Sequence, residues 1–298
     1  GVRYHHVQDP VTELTRFRAG ELDVLYSLPP GEAARQRAAG APGLRVAPQL
    51  GVYYYGFATD QPPFAGQPGL RRALAMTVER DVLVERVLGD GEPAAYSWVP
   101  PGVAGYTPAR FEWADWPRER RLAEARRLYA EAGYSAARPL AIELRFNKSA
   151  LHDRVALAVA AMWKEALGVE LRLASEEFRV LKQSIDARQV QVFRGSWVAD
   201  YNDAHSFLQL LEGGFGINLP RYANGAYDGL LARSREAADP RERAALLAAA
   251  ERGMLADAPL VPLFFYVTKR LVAARVAGWY DNVMNVTYSK DLALAGPA

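Results

Sequence analysis

Apolar positions in this chain recur with two periods, one near 3.6 residues and one of two, and the way they alternate predicts an α/β protein. Val11, Leu14 and Phe17 share one face behind Asp9-Pro10, a cap followed by proline at the first helical position, so a short helix is expected over 9–20. Residues 22–26 read as a strand that Pro29-Pro30 ends, and 51–57, with Val52-Tyr53-Tyr54-Tyr55, read as a buried strand. Two helices follow over 70–88, the first with Leu70, Leu74 and Val78 on one face. Pro93, Pro100, Pro101 and Pro108 lie among scattered aromatics and make 92–116 a long ordered loop. Leu122, Ala125, Tyr129 and Ala132 then stripe a helix over 117–132, stopped by Gly133.

From residue 139 onward, strand and helix patterns alternate: a strand at 140–146, a helix at 151–167, a strand at 169–173, a helix at 178–187 and a strand at 190–193. Such a run needs crossover helices, so a mixed sheet covered by helices is expected. Helices at 225–237 and 240–256, the latter opened by Asp239-Pro240 with Glu242 in its first turn, precede an apolar strand at 261–267 and short strand-like pieces in the tail.

Length and composition set limits on this picture. With ~150 residues per domain as a guide, 298 residues allow two domains, or one large domain with an appended piece. The 36 Lys and Arg against 34 Asp and Glu leave a charge of +2, too small and too evenly spread to argue for nucleic acid or an anionic membrane. The absence of Cys excludes a disulfide scaffold, a thiolate metal site and a thiol nucleophile. No stretch approaches the ~18 consecutive apolar residues of a membrane span, and the first residues do not read as an export signal.

Candidate chemistry is sparse. No phosphate loop, Gly-x-Gly-x-x-Gly, His-Glu-x-x-His or Gly-x-Ser-x-Gly pattern occurs, so no enzyme is expected. His5 and His6 point to opposite sides of an extended chain, and His152 and His205 lack a ligand-type partner at helical spacing; surface or capping roles are expected for them, with no metal or other cofactor. The segment that stands out is 194–203, which places Arg194, a small-residue backbone, Trp197 and Asp200 at the end of a strand, where clefts in α/β sheets open. The same residues also fit a plainer reading, with Asp200 and Asn202 as turn formers, Trp197 in the core and Arg194 paired to a nearby acid.

Five segments in order, LTRFRAGELDV at 14–24, YYYGFATDQPPF at 53–64, RRALAMTVERDVLV at 71–84, WVADYND at 197–203 and APLVPLFFY at 258–266, resemble the extracytoplasmic oligopeptide- and dipeptide-binding proteins of ABC importers, solute-binding protein family 5. The resemblance runs along nearly the whole chain and implies the C-terminal portion of such a protein. It implies a periplasmic-binding-protein-like type II fold, divided into a partial lobe I over 1–50, a complete C-terminal lobe over 51–265 and a return segment of lobe I over 266–298. The N-terminal half and the export signal would then lie outside this chain, and these residues alone are expected to bind ligand weakly or not at all.

What the resemblance implies about function is a non-catalytic periplasmic receptor, monomeric in its full-length form. It would hold an extended oligopeptide between two lobes and dock on the permease subunits of an importer. Residue by residue, it implies that Asp200 pairs with the ligand α-ammonium and that the backbone of Gly195, Ser196, Trp197, Val198 and Ala199 bonds the extended ligand. Trp197 and Phe178 would line side-chain pockets, with Tyr54 in the matching aromatic strand. Arg194 and His152 would approach the ligand's carboxylate end, an ion pair and a helix-start cap being their alternatives. Ile185 and Leu88 stand where some relatives carry basic groups, with Arg188 three residues past the first, and Gly51 and Val198 together replace a Cys pair of some members. The alternatives to an oligopeptide ligand are a nickel chelate, haem or a murein peptide on the same fold, or a chaperone-like peptide-binding module.

Overall fold

The computed structural model describes residues 1–295. In chain order the elements begin with helix α1 (Pro10–Arg18), strand β1 (Val24–Leu25), helix α2 (Glu32–Ala38) and strand β2 (Leu44–Phe57). Helices α3 (Pro68–Met76), α4 (Arg80–Val82, running on as a π turn over Leu83–Leu88) and α5 (Arg118–Glu131) follow. The alternating run comprises β3 (Ala141–Asn147), α6 (Ala150–Leu167), β4 (Glu170–Glu176), α7 (Phe178–Asp186) and β5 (Val192–Val198). Helices α8 (His205–Leu208), α9 (Gly225–Glu236) and α10 (Pro240–Asp257), the long strand β6 (Leu260–Val272) and the short β7 (Val276–Ala277) and β8 (Ala293–Leu294) complete it.

Six strands form one sheet in the order β1-β6-β2-β5-β3-β4. β3 pairs in parallel with β4 and β5, while β5 and β6 flank β2 antiparallel. The expected mixed sheet covered by helices is therefore what the chain forms, and several of its helices have chemically marked starts. Asp9 accepts from the N–H groups of Val11 and Thr12, Ser149 from Leu151, and Asp239 from Arg241, each satisfying first-turn donors that have no partner within the helix.

β2 and β6 run well past the expected 51–57 and 261–267. Their outer halves, 44–48 and 267–271, pair with each other, and the register shifts between Pro48 and Val52. Those halves mix Arg, Lys, Pro and Thr with apolar residues, so no alternation announces them. The main core runs from Leu50 to Phe265, whereas Leu14, Leu25 and Leu271 form a separate small cluster. Helices α2 and α8 lie where no element was expected; both are short and have no side-chain cap.

The strand expected at 190–193 needs correction. β5 continues to Val198, so residues 194–198, expected at the end of a strand, lie within the sheet, each paired with β2. A Cβ at Gly195 would sit 2.3 Å from the Tyr54 ring carbon Cζ. Glycine at this position lets Tyr54 lie across the strand, and pairing with β2 carries the strand through it.

Candidate functional site

β5 organises the candidate site, and the two-residue period of a strand sorts its side chains. Arg194 and Ser196 pair with Tyr55 and Tyr53 and share their face; Gly195 and Trp197 pair with Tyr54 and Val52 on the opposite face. Arg194 and Trp197 therefore do not meet on one wall.

On the first face, the guanidinium carbon of Arg194 lies 4.6 Å from the centre of the Tyr53 ring. Its Nη2 donates to Tyr266 Oη (3.0 Å) and its Nη1 to Asn147 Oδ1 (3.4 Å), while Nε has no partner. No carboxylate pairs with it among the described residues, so the ion-pair alternative for Arg194 is not what the chain adopts. Tyr53 stacks on Phe264 at 4.6 Å, and its hydroxyl is 3.2 Å from Nδ1 of His152 in α6. Ser149, not His152, caps that helix.

His152 is buried, and burial, helped by the Arg194 charge, lowers its imidazole from 6.5 to about 4. A depressed cationic acid destabilises the fold when forced to charge. Its contribution is fully present above pH 6.5 and is lost as pH falls towards 4. Urea titrations at pH 7 and pH 4 should show about 2–3 kcal/mol of extra acid destabilisation in the wild-type chain relative to His152→Gln; parallel behaviour of the two would contradict this placement.

On the second face, the Tyr54 ring is buried edge-on to Trp98 at 5.0 Å, and the Trp98 indole donates to Phe207 O (2.8 Å). Trp197 is half-buried, and its Nε1–H has no partner. The loop carrying Trp98 is held by Glu251 of α10. Its Oε1 accepts from the N–H groups of Trp98 (2.9 Å) and Val99 (2.8 Å), and its Oε2 from Tyr106 Oη (2.7 Å) and Ala109 N–H (2.8 Å).

The backbone of β5 supplies a third feature. Hydrogen-bonded pairs alternate along an antiparallel ladder, and the Ala199 N–H donates to Leu50 O (2.8 Å). That alternation directs the main-chain groups of Gly195 and Trp197 to β2 and those of Ser196 and Val198 to the other edge. β3 pairs with that edge only as far as Phe193. Beyond it, no strand covers Ser196 and Val198 among the described residues.

Asp200 follows directly. It is exposed, its N–H donates to Ser206 Oγ (3.0 Å), and no cation pairs with its carboxylate among the described residues. The other expected positions are more scattered. Phe178 opens α7 with 65% of its surface exposed and joins no aromatic pair among the described residues. Val198 is exposed opposite Gly51, its register partner. Ile185 and Leu88 are buried in the core, and Arg188 pairs with Asp60. The His205 ring, expected at the surface or as a cap, lies between Tyr201 Oη (3.0 Å) and Arg235 Nη1 (3.4 Å). No cluster of three or more potential metal ligands occurs among the described residues. Tyr53, Tyr266, Asn147 and Glu251 were not singled out from the sequence, because sheet register and long-range packing bring them in and no local pattern marks either.

The sheet thus has an open strand edge, an unpaired polar group on each face and an unpaired carboxylate at its end; comparison with known proteins gives the family. Residues 1–218 match the model of the bacterial extracellular solute-binding proteins, family 5 (middle portion), and the chain belongs to that family. It is 36% identical to the periplasmic oligopeptide-binding protein OppA of Salmonella typhimurium over 98% of this chain and 54% of that protein. It is also 36% identical to the periplasmic murein peptide-binding protein MppA of Escherichia coli over 93% of this chain and 52% of that protein. The crystal structure of Haemophilus influenzae OppA in complex with RPPGFSPFR superposes with a TM-score of 0.84 at 32% identity, covering 96% of this chain and 57% of that one. The chain thus spans about half the length of the relatives it matches, and its fold is the type II periplasmic-binding-protein fold of that family.

Proposed function

We propose that this chain supplies one ligand-binding wall of a periplasmic receptor that delivers oligopeptides to an ABC importer, and that it binds without catalysing a reaction. The observation that carries this reading is the open edge of β5 at Ser196 and Val198, continued by the unpaired carboxylate of Asp200. An extended peptide can add to such an edge as a strand, so that affinity comes from groups every peptide shares. Asp200 would neutralise the α-ammonium, and the Arg194 guanidinium and the Trp197 ring would flank the ligand from the two faces of the strand. Tyr53, held in turn by His152, lies against Arg194. In this reading Phe178 marks the rim of a pocket, and Tyr54 acts through Trp98 and Gly195 from within the core.

The domain division of this reading is a lobe over 51–265, flanked by parts of a second lobe at 1–50 and 266–298. It is supported by the two separate apolar clusters and by the register shift between Pro48 and Val52. β2 and β6 would carry the hinge, and closure about it would present the loaded receptor to the permease. The names of the Salmonella and Haemophilus relatives support the ligand class and the compartment.

Calorimetry of the complete gene product with di- to pentapeptides, their N-acetylated copies and a nickel chelate tests the proposal. Binding of free-amine peptides of unrelated sequence, weakened by acetylation, is expected. Binding of the chelate alone would overturn it.

A further inference from the structure

The carboxylate assigned to the ligand amine sits on a turn, not on a strand, and a turn needs its own support to hold a charge in one place. Residues 199–206 are tied to three separate elements. The Ala199 N–H reaches Leu50 O at the start of the β2 core segment (2.8 Å), and Asn202 Oδ1 accepts the Ala104 N–H of the long loop (3.0 Å). The third tie is the strongest in kind: Arg243 of α10 forks both carboxylate oxygens of Asp203, Nη1 to Oδ2 at 2.7 Å and Nη2 to Oδ1 at 3.0 Å. Asp203 Oδ1 also accepts the His205 N–H (2.8 Å), and the Asp203 carbonyl accepts the N–H of Ser206 (3.1 Å). Ser206 is fully buried, and its Oγ holds the Asp200 N–H. A chain of bonds therefore runs from Arg243 through Asp203 and Ser206 to the backbone of Asp200.

We propose that Asp203 and Arg243 are positioning residues for ligand-amine recognition: their two-bond fork fixes the 199–206 turn so that the Asp200 carboxylate faces the incoming α-ammonium already in place. The proposal rests on the assignment of Asp200 made above. A planar fork fixes orientation as well as distance, which a single ion pair does not. Asp200 has no cation of its own among the described residues, so a loosened turn would leave its carboxylate free to turn into solvent, and each binding event would have to order it.

Through-space electrostatics makes a different prediction from positioning, and the two can be separated. If Asp203 and Arg243 acted only by their charges, neutralising Arg243 would strengthen attraction for an ammonium and neutralising Asp203 would weaken it. Positioning requires both to weaken it.

The experiment is calorimetry of the complete protein and its Asp203→Asn, Arg243→Met, Arg243→Lys and Asp200→Asn variants, each with one tripeptide and its N-acetylated copy, alongside thermal unfolding. Asp203→Asn and Arg243→Met are each expected to weaken binding of the free-amine peptide about tenfold while changing the acetylated one by less than about twofold. Arg243→Lys, which keeps the charge without the fork, is expected to fall between these and the wild type. Opposite shifts for Asp203→Asn and Arg243→Met would overturn the clamp in favour of simple electrostatics. Equal losses for both peptides would reduce it to general stability. An unchanged ratio in both clamp variants, with Asp200→Asn abolishing the preference for the free amine, would overturn the clamp and leave the Asp200 assignment standing. No effect of Asp200→Asn would remove that assignment and the clamp with it.

Discussion

Asp200→Asn in the complete protein should weaken binding of a free-amine tripeptide by roughly thirtyfold to a thousandfold, equivalent to about 2–4 kcal/mol. The size follows from leaving an ammonium opposite a neutral amide in a space that closure dries. Asp200 is exposed and pairs with no cation among the described residues, so its removal leaves no internal charge stranded, and the fold should keep its stability. Unfolding midpoints within error of the wild type, together with the affinity loss, would separate a lost ligand contact from damage to the protein. A variant that binds as tightly as the wild type would show that the ligand's charge is met elsewhere.

Glu251→Ala should cause the largest loss of stability, about 4 kcal/mol or more. Four donors converge on this fully buried carboxylate, three of them main-chain N–H groups of one loop. Truncation leaves each without a partner, at roughly 1–3 kcal/mol apiece before the loop relaxes. Burial holds the carboxyl near pH 7, at about 7, in spite of the four donors pulling it down. The loop carries Trp98, whose ring meets Tyr54, and Tyr54 in turn lies across Gly195 in β5. Loosening the loop should therefore loosen the site strand. Urea denaturation followed by tryptophan fluorescence measures the effect, and a loss below about 1 kcal/mol would mean that water replaces the carboxylate at little cost.

Helices α5, α6 and α10 were legible because each carries a local mark that agrees with its packing: an apolar stripe ended by Gly133 for α5, the Ser149 cap and Gly168 for α6, and the Asp239-Pro240 start for α10. β5 was legible only in part. Gly195 obeys a constraint set by Tyr54, which is 141 positions away in the chain, and no local pattern carries that information. The outer halves of β2 and β6 were missed for a related reason, since each is a strand because the other is. At the site, the segment 194–203 stood out by residue type, but its grouping of Arg194 with Trp197 dissolves once strand parity is known. Tyr53 and Tyr266 come into the cluster through β-sheet register, and Glu251 is one acid in an Ala-rich helix. Its importance comes entirely from a loop more than 140 residues earlier. Local chemistry was readable; long-range register was not.

The most direct test is a competition. The complete protein is incubated with an equimolar mixture of free-amine peptides of varied sequence, their N-acetylated copies, a nickel chelate and haem, and the retained molecules are identified by mass spectrometry after gel filtration. The account predicts several free-amine peptides of unrelated sequence and almost none of the blocked copies. Retention of a single non-peptide species, or of blocked and free peptides alike, would contradict it.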